Sequence, residues 1–145
     1  MNEIIKGMAN ASEAIQENFE EIDEHLAESA SKHIHSSGSN DDGYWVRFDD
    51  GTQICWGNIR IPYSTTYMCR TAVSYPRAFS NAPSISANLT DYSGTPTYRD
   101  ITSISFGNIL SASASFSVWT QRSATATWGS GDYVDCTYIA IGRWK

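Results

Sequence analysis

The sequence predicts a mainly β chain: an antiparallel β-sandwich preceded by an N-terminal α-helical coiled-coil stem, assembled as a homotrimer. Three observations carry that expectation. Residues 1–29 repeat apolar residues at heptad spacing, residues 44–145 read as short β-rich runs between turn signals, and a Ser/Gly/Asn/Asp-rich linker at 30–43 separates them.

In the stem, Ile5, Ser12, Phe19 and Leu26 fall at heptad position a, and Met8, Ile15 and Ile22 at d. Only Ser12 breaks the apolar seam. Positions e and g hold Ile4, Ala9, Ala11, Gln16, Asn18, Asp23 and His25, mostly small or uncharged, while the acids gather on the outward positions. A wide seam with neutral flanks suits three parallel helices better than two. The competing reading is one amphipathic helix lying on its own β domain. Alone in water, a helix this short is marginal, so it needs a partner of some kind.

In the β domain the sharpest local signal is "YWVRFDDGTQICWG", where Asp50-Gly51 suggests a two-residue type I′ turn. That register sets Trp45 opposite Trp56, Arg47 opposite Ile54 and Phe48 opposite Gln53. Further strands are expected at 66–75, 84–90, 100–106, 109–120 and 133–143, with Gly107-Asn108 as a second turn. In "ASASFSVW", Ala112, Ala114, Phe116 and Val118 alternate with serines, the pattern of a half-buried strand.

The net charge of −6 comes almost wholly from residues 1–28, where eight acids face Lys6 alone. The nearly neutral β domain offers no basic patch for a phosphate backbone, so nucleic acid is not an expected partner. No apolar run reaches membrane-spanning length, so no membrane insertion is expected. The N-terminus lacks a signal-peptide core, which suggests synthesis in a cytoplasm without cleaved secretion. Cys55, Cys69 and Cys136, odd in number and without metal spacing, read as free thiols.

Three segments together resemble a known family. "GYWVRFDDGTQICWG" is similar to the opening hairpin of C-terminal domains of bacteriophage tail-fibre and minor tail proteins. "YPRAFSNAPSISA" resembles their Pro-bounded step at Tyr75, Pro76, Phe79, Pro83 and Ile85. "TYIAIGRWK" resembles their closing "W-x-A-I-G", with Tyr138 in place of the more usual Trp. The resemblance covers roughly residues 43–145. It implies a compact fold similar to the H-type lectins, trimeric and able to bind sugars, at the distal tip of a virion tail.

His33-Ile34-His35 is the candidate metal site. In an extended segment residues i and i+2 share a side, so the pair from each chain of a trimer would ring the axis. Such a nitrogen cage suits a structural transition metal such as iron, nickel or zinc, and the resemblance implies metal ions threaded on such pairs. The plainer reading is two solvated histidines in a linker.

A sugar calls for an aromatic platform beside planar donors and acceptors. Trp119, Gln121, Arg122, Trp128, Asp132 and Tyr133 gather around one long loop, with Trp128 expected to be exposed and to stack on a pyranose. The competing reading buries Trp119 and Tyr133 in the core. Tyr92, Tyr98 and Arg99 form a second candidate around "DYSGTPTYRD", otherwise a plain solvated loop.

Catalysis is not expected. His25, His33 and His35 all precede the β domain, and only Asp132 and Asp135 form a near pair of carboxylates on one element. The expected function is adhesion to a host cell-surface carbohydrate. The alternatives are a structural trimerisation or assembly module that terminates a fibre, and a small polysaccharide-degrading enzyme.

Overall fold

The computed structural model describes residues 2–97, 100–121 and 125–145; within the helix, side chains are described at 11, 13–26 and 33. Helix α1 (Asn2–His33) is followed by strands β1 (Ile34–Asn40), β2 (Gly43–Phe48), β3 (Thr52–Thr65), β4 (Met68–Ser74), β5 (Ser84–Tyr92), β6 (Ile101–Gly107), β7 (Ser113–Thr120) and β8 (Tyr133–Arg143). The chain is thus mainly antiparallel β-sheet with one helix.

Every described side chain at 13–26 is exposed, including Ile15, Phe19, Ile22 and Leu26, each more than half accessible. The helix meets the β domain chiefly where it runs into β1. At the described residues it does not lie on its own sandwich. The heptad residues Ile4, Ile5, Met8, Ala9 and Ser12 have side chains outside the described residues.

Two expectations for the first hairpins do not hold. First, residues 34–40, read as linker, are strand β1. It pairs antiparallel with β2 from Ile34↔Phe48 to Asn40↔Gly43, with an irregularity between Ile34 and Ser36. The local polarity that suggested a linker builds a hairpin turn: the Asn40 side-chain oxygen accepts from Asp42 N at 3.0 Å, and Gly43 takes φ +132°. Gly38 permits the pairing, because a Cβ there would stand 2.9 Å from the Trp45 ring.

Second, the β2–β3 hairpin is offset by one residue. Gly51 N donates to Phe48 O at 3.0 Å, and Gly51, not Asp50, has positive φ, at +90°. The loop therefore holds three residues, 49–51, rather than a two-residue type I′ turn. Pairing runs Tyr44↔Trp56, Trp45↔Cys55, Val46↔Ile54 and Arg47↔Gln53. A one-residue slip exchanges the two faces of a strand. Trp45 thereby joins the core side, and Tyr44 stacks on Trp56 outside, ring centroids 5.8 Å apart.

The five-stranded sheet has the order β1-β2-β3-β8-β5, and a three-stranded sheet has the order β4-β7-β6. β3 links them: Thr52–Pro62 pairs with β8, while Tyr63 and Thr65 pair with β4. The core lies between the sheets. β8 contributes Val134, Cys136, Tyr138 and Ala140, and β7 contributes Ala114, Phe116 and Val118. Phe116 and Tyr138 meet edge to face across the gap at 5.6 Å. Full burial of Phe116 stabilises by about 2–3 kcal/mol.

The alternation read in residues 113–118 holds, but the strand starts at Ser113 instead of Ile109. Asn108, at φ +46°, and a Leu110 N to Ser113 O bond of 2.8 Å turn the chain first, leaving Ala112 exposed. Tyr75 and Phe79, in the Pro-bounded step, are buried and pack edge-on at 5.2 Å.

The three cysteines are free and buried. Burial pushes the thiol of Cys69 up to about 12 and that of Cys136 up to about 11.

Candidate functional site

The long loop between β7 and β8 does not present the expected aromatic platform. Trp128 is only 3% exposed. The segment folds back over the end of the core: Trp128 N donates to Thr66 O at 2.8 Å, and Thr120 Oγ1 donates to Ala126 O at 3.0 Å. Trp128 packs edge-on against Tyr92 at 6.5 Å and cannot stack on a sugar from there. Its Nε1 is buried with no hydrogen-bond partner among the described residues.

The other candidates are held in place locally. Trp119 lies half-buried on the outer side of β7, where its Nε1 donates to Ser105 Oγ at 3.2 Å. Gln121 donates its side-chain amide to Asp100. The Asp132 carboxylate accepts from Gly129 N at 2.7 Å and from Ser93 Oγ at 3.4 Å, tying two loops together. Tyr133 faces outward beneath the Arg60 guanidinium, 3.6 Å from the ring centroid. Tyr98, Arg99 and Arg122 lie outside the described residues.

His33 and His35 do not share one side of a strand, because β1 begins only at Ile34. The His35 ring stacks on Trp144 at 4.5 Å, and its Nδ1 lies 3.3 Å from Asp49 Oδ1. Among the described residues no group of three or more His, Cys, Asp or Glu is arranged to hold a metal. The expected cage draws its ligands from three chains, of which one chain supplies only its own pair.

The outer face of the five-stranded sheet is divided by register into two zones. One row runs Val46, Ile54, Ile141 and Ser84, and the next runs Tyr44, Trp56, Ile139 and Ser86. Tyr44, Trp56, Ile139 and Ile141 are all at least 40% exposed. Ile34, at the end of the helix, extends this apolar zone beside Phe48.

Two residues further along the strands the face turns polar: Asn58, Thr137 and Asn88 form one row, and Arg60, Asp135 and Asp91 the next. A depression of about 470 Å³ opens there, lined by Asn58, Ile59, Arg60, Thr90, Asp135 and Thr137 with Cys136. Arg60 donates from Nε and Nη2 to the two oxygens of Asp135 at 2.8 and 2.7 Å. Those bonds hold the Asp135 carboxyl below its ordinary range and push the guanidinium up.

Sequence reasoning missed this zone. The outward polar residues at i and i+2 in "GNIRI" and "YVDCT" were visible, but the register joining strands so distant in the chain was not.

Among solved structures the chain is similar to the C-terminal fibre of the Pseudomonas aeruginosa R1 pyocin, at 12% identity and a TM-score of 0.53. The match covers 74% of this chain and 28% of that one. The fold is similar to that of R-type pyocin tail fibres. An N-truncated R1-type fibre matches at 12% identity and a TM-score of 0.52, covering 74% of this chain and 85% of that chain. The P. aeruginosa R2 pyocin fibre matches at 17% identity and a TM-score of 0.51, covering 74% and 26%. The chain therefore spans little more than a quarter of the longer fibres. No protein-family model and no curated protein sequence matches it. No described helix is long and apolar enough to cross a membrane.

Proposed function

We propose that this chain is the receptor-binding end of a phage-type tail fibre, a homotrimer at the distal tip of a virion or phage-like tail that attaches to a host-surface glycan. The observation that carries the reading is the likeness of fold to the pyocin tail fibres. Two unpartnered surfaces support assembly into a trimer. The exposed Ile15, Phe19, Ile22 and Leu26 seam suits a parallel coiled coil. The apolar zone around Trp56 and Ile139 suits packing between β domains. Weak sites held together by such a trimer gain avidity.

The reading includes no enzymatic activity. Asp135, held ionised by Arg60, is unsuited to the general-acid role that glycoside hydrolysis needs. A transition metal enters only through His33: heptad phase carries position a from Leu26 to His33, so three copies would bring their His33 imidazoles to the axis.

Light scattering with metal analysis on the same peak, followed by a glycan array, tests the reading. A particle of three 16.0 kDa chains that binds a bacterial glycan is the expected result. A monomer would overturn the stem. A trimer that binds no glycan would favour the second reading, a structural module ending a fibre, for which the large apolar zone also speaks.

A further inference from the structure

We infer that the polar depression on the outer face of the five-stranded sheet, between β3, β8 and β5, is a binding site for a neutral carbohydrate. The inference rests on the adhesin reading and gives it a location and a ligand class.

The site is built on strands, not loops, so its groups are pre-positioned. Asn58 on β3, Thr137 on β8 and Thr90 on β5 project from neighbouring strands. No hydrogen bond within the described residues engages the Asn58 amide or the Thr90 and Thr137 hydroxyls. The amide offers two donors and an acceptor, and each hydroxyl does both. Vicinal sugar hydroxyls, which also donate and accept, match such an array.

Arg60 and Asp135 complete it. Arg60 is fixed from two sides, by Asp135 and by the Tyr133 ring beneath it. Only Nε and Nη2 bond to Asp135, which leaves further N–H groups as donors, and the carboxylate keeps unused lone pairs. Charge-assisted bonds of this kind are the strong ones in a polar site.

Size and charge narrow the ligand. About 470 Å³ is the scale of a small-molecule site. Five of its seven lining residues carry polar side chains, on a surface whose exposed area is more apolar than polar, a mixture that suits the hydroxyl edge and apolar face of a sugar ring. The positive charge of Arg60 is matched by Asp135, Asp91 lies across the ladder from Asp135, and Asp41 and Asp42 line an adjoining depression with Asn58 and Arg60. An anionic sugar would meet a surplus of carboxylates. The Tyr133 ring is already covered by Arg60, so recognition runs through hydrogen bonds more than stacking.

The test is a glycan array, with affinities for its positive glycans measured on the full chain and on Asn58→Ala/Thr137→Val, with Glu17→Gln on the exposed helix as a remote control. Melting temperature and native mass are measured for all three. The expected result is binding of neutral glycans by the wild type, lost about tenfold or more in the double variant at unchanged mass and melting, and retained by the control. Equal binding by wild type and double variant overturns the site while the adhesin reading stands. Selective binding of acidic glycans overturns the neutral ligand class. No binding by the wild type to any glycan overturns the adhesin reading and this site with it.

Discussion

Arg60 grips Asp135 with two hydrogen bonds across the β3–β8 ladder, while Asp91, directly opposite Asp135 on β5, bonds its own neighbour, Tyr92 N. One carboxylate of a cross-strand pair is thus committed to a guanidinium. The pair is partly solvated, so its contribution to stability is modest and screened by salt.

That commitment sets a pH dependence. The Asp135 carboxyl is depressed first by its Arg60 hydrogen bonds, and Asp50 and Asp100 are depressed by bonds from Thr52 and Thr97. A folded value below the unfolded one means stability fully present above about pH 3.9 and lost as pH falls through the folded values. Melting temperature should hold from neutral pH to about 5 and drop below 4. Asp135→Asn should melt lower than wild type at pH 7, with the gap closing at acid pH.

Trp128 is a core residue. Trp128→Ala should cost about 3–5 kcal/mol in chemical denaturation. Trp128→Phe should cost clearly less, because it removes an indole N–H that has no partner among the described residues along with the volume. Equal losses for the two variants would contradict the packing described for this loop.

Gly43 takes a positive φ and approaches β3 so closely that a Cβ would strike the Trp56 carbonyl oxygen. Gly131 also has a positive φ, at +93°, but nothing stands near its Cβ position. Gly43→Ala should therefore lower the melting temperature well beyond Gly131→Ala, whose cost is conformational and about 1 kcal/mol.

The buried thiols give a native-state probe. With Cys69 pushed up to about 12 and Cys136 up to about 11, little thiolate forms at neutral pH. Ellman's reagent should label none of Cys55, Cys69 and Cys136 in the folded protein and all of them in denaturant. Rapid labelling of one thiol without denaturant would show that its burial fails in solution.

The helix seam is open to direct test. Phe19→Asp/Leu26→Asp should reduce the native mass toward 16.0 kDa and leave the near-UV signal of the β domain intact. Retention of the full trimer mass would shift the assembly onto the outer sheet face around Trp56 and Ile139.

Local periodicities could be read from the chain alone. Alternation in 113–118, the presence of a turn at Asp50-Gly51 though not its length, and the bounds of the last strand at 133–143 were legible because each depends on neighbours within a few residues. Whatever depends on pairing between distant segments came from the folded chain. It drew residues 34–40 out of a linker-like composition into β1, moved the hairpin by one residue, and carried Trp128 inward. It also set Asn58 and Arg60 beside Thr137 and Asp135. The physical reason is that a strand's two faces are defined by its own sequence, but what stands next to either face is fixed by register. A single residue's slip exchanges core for surface.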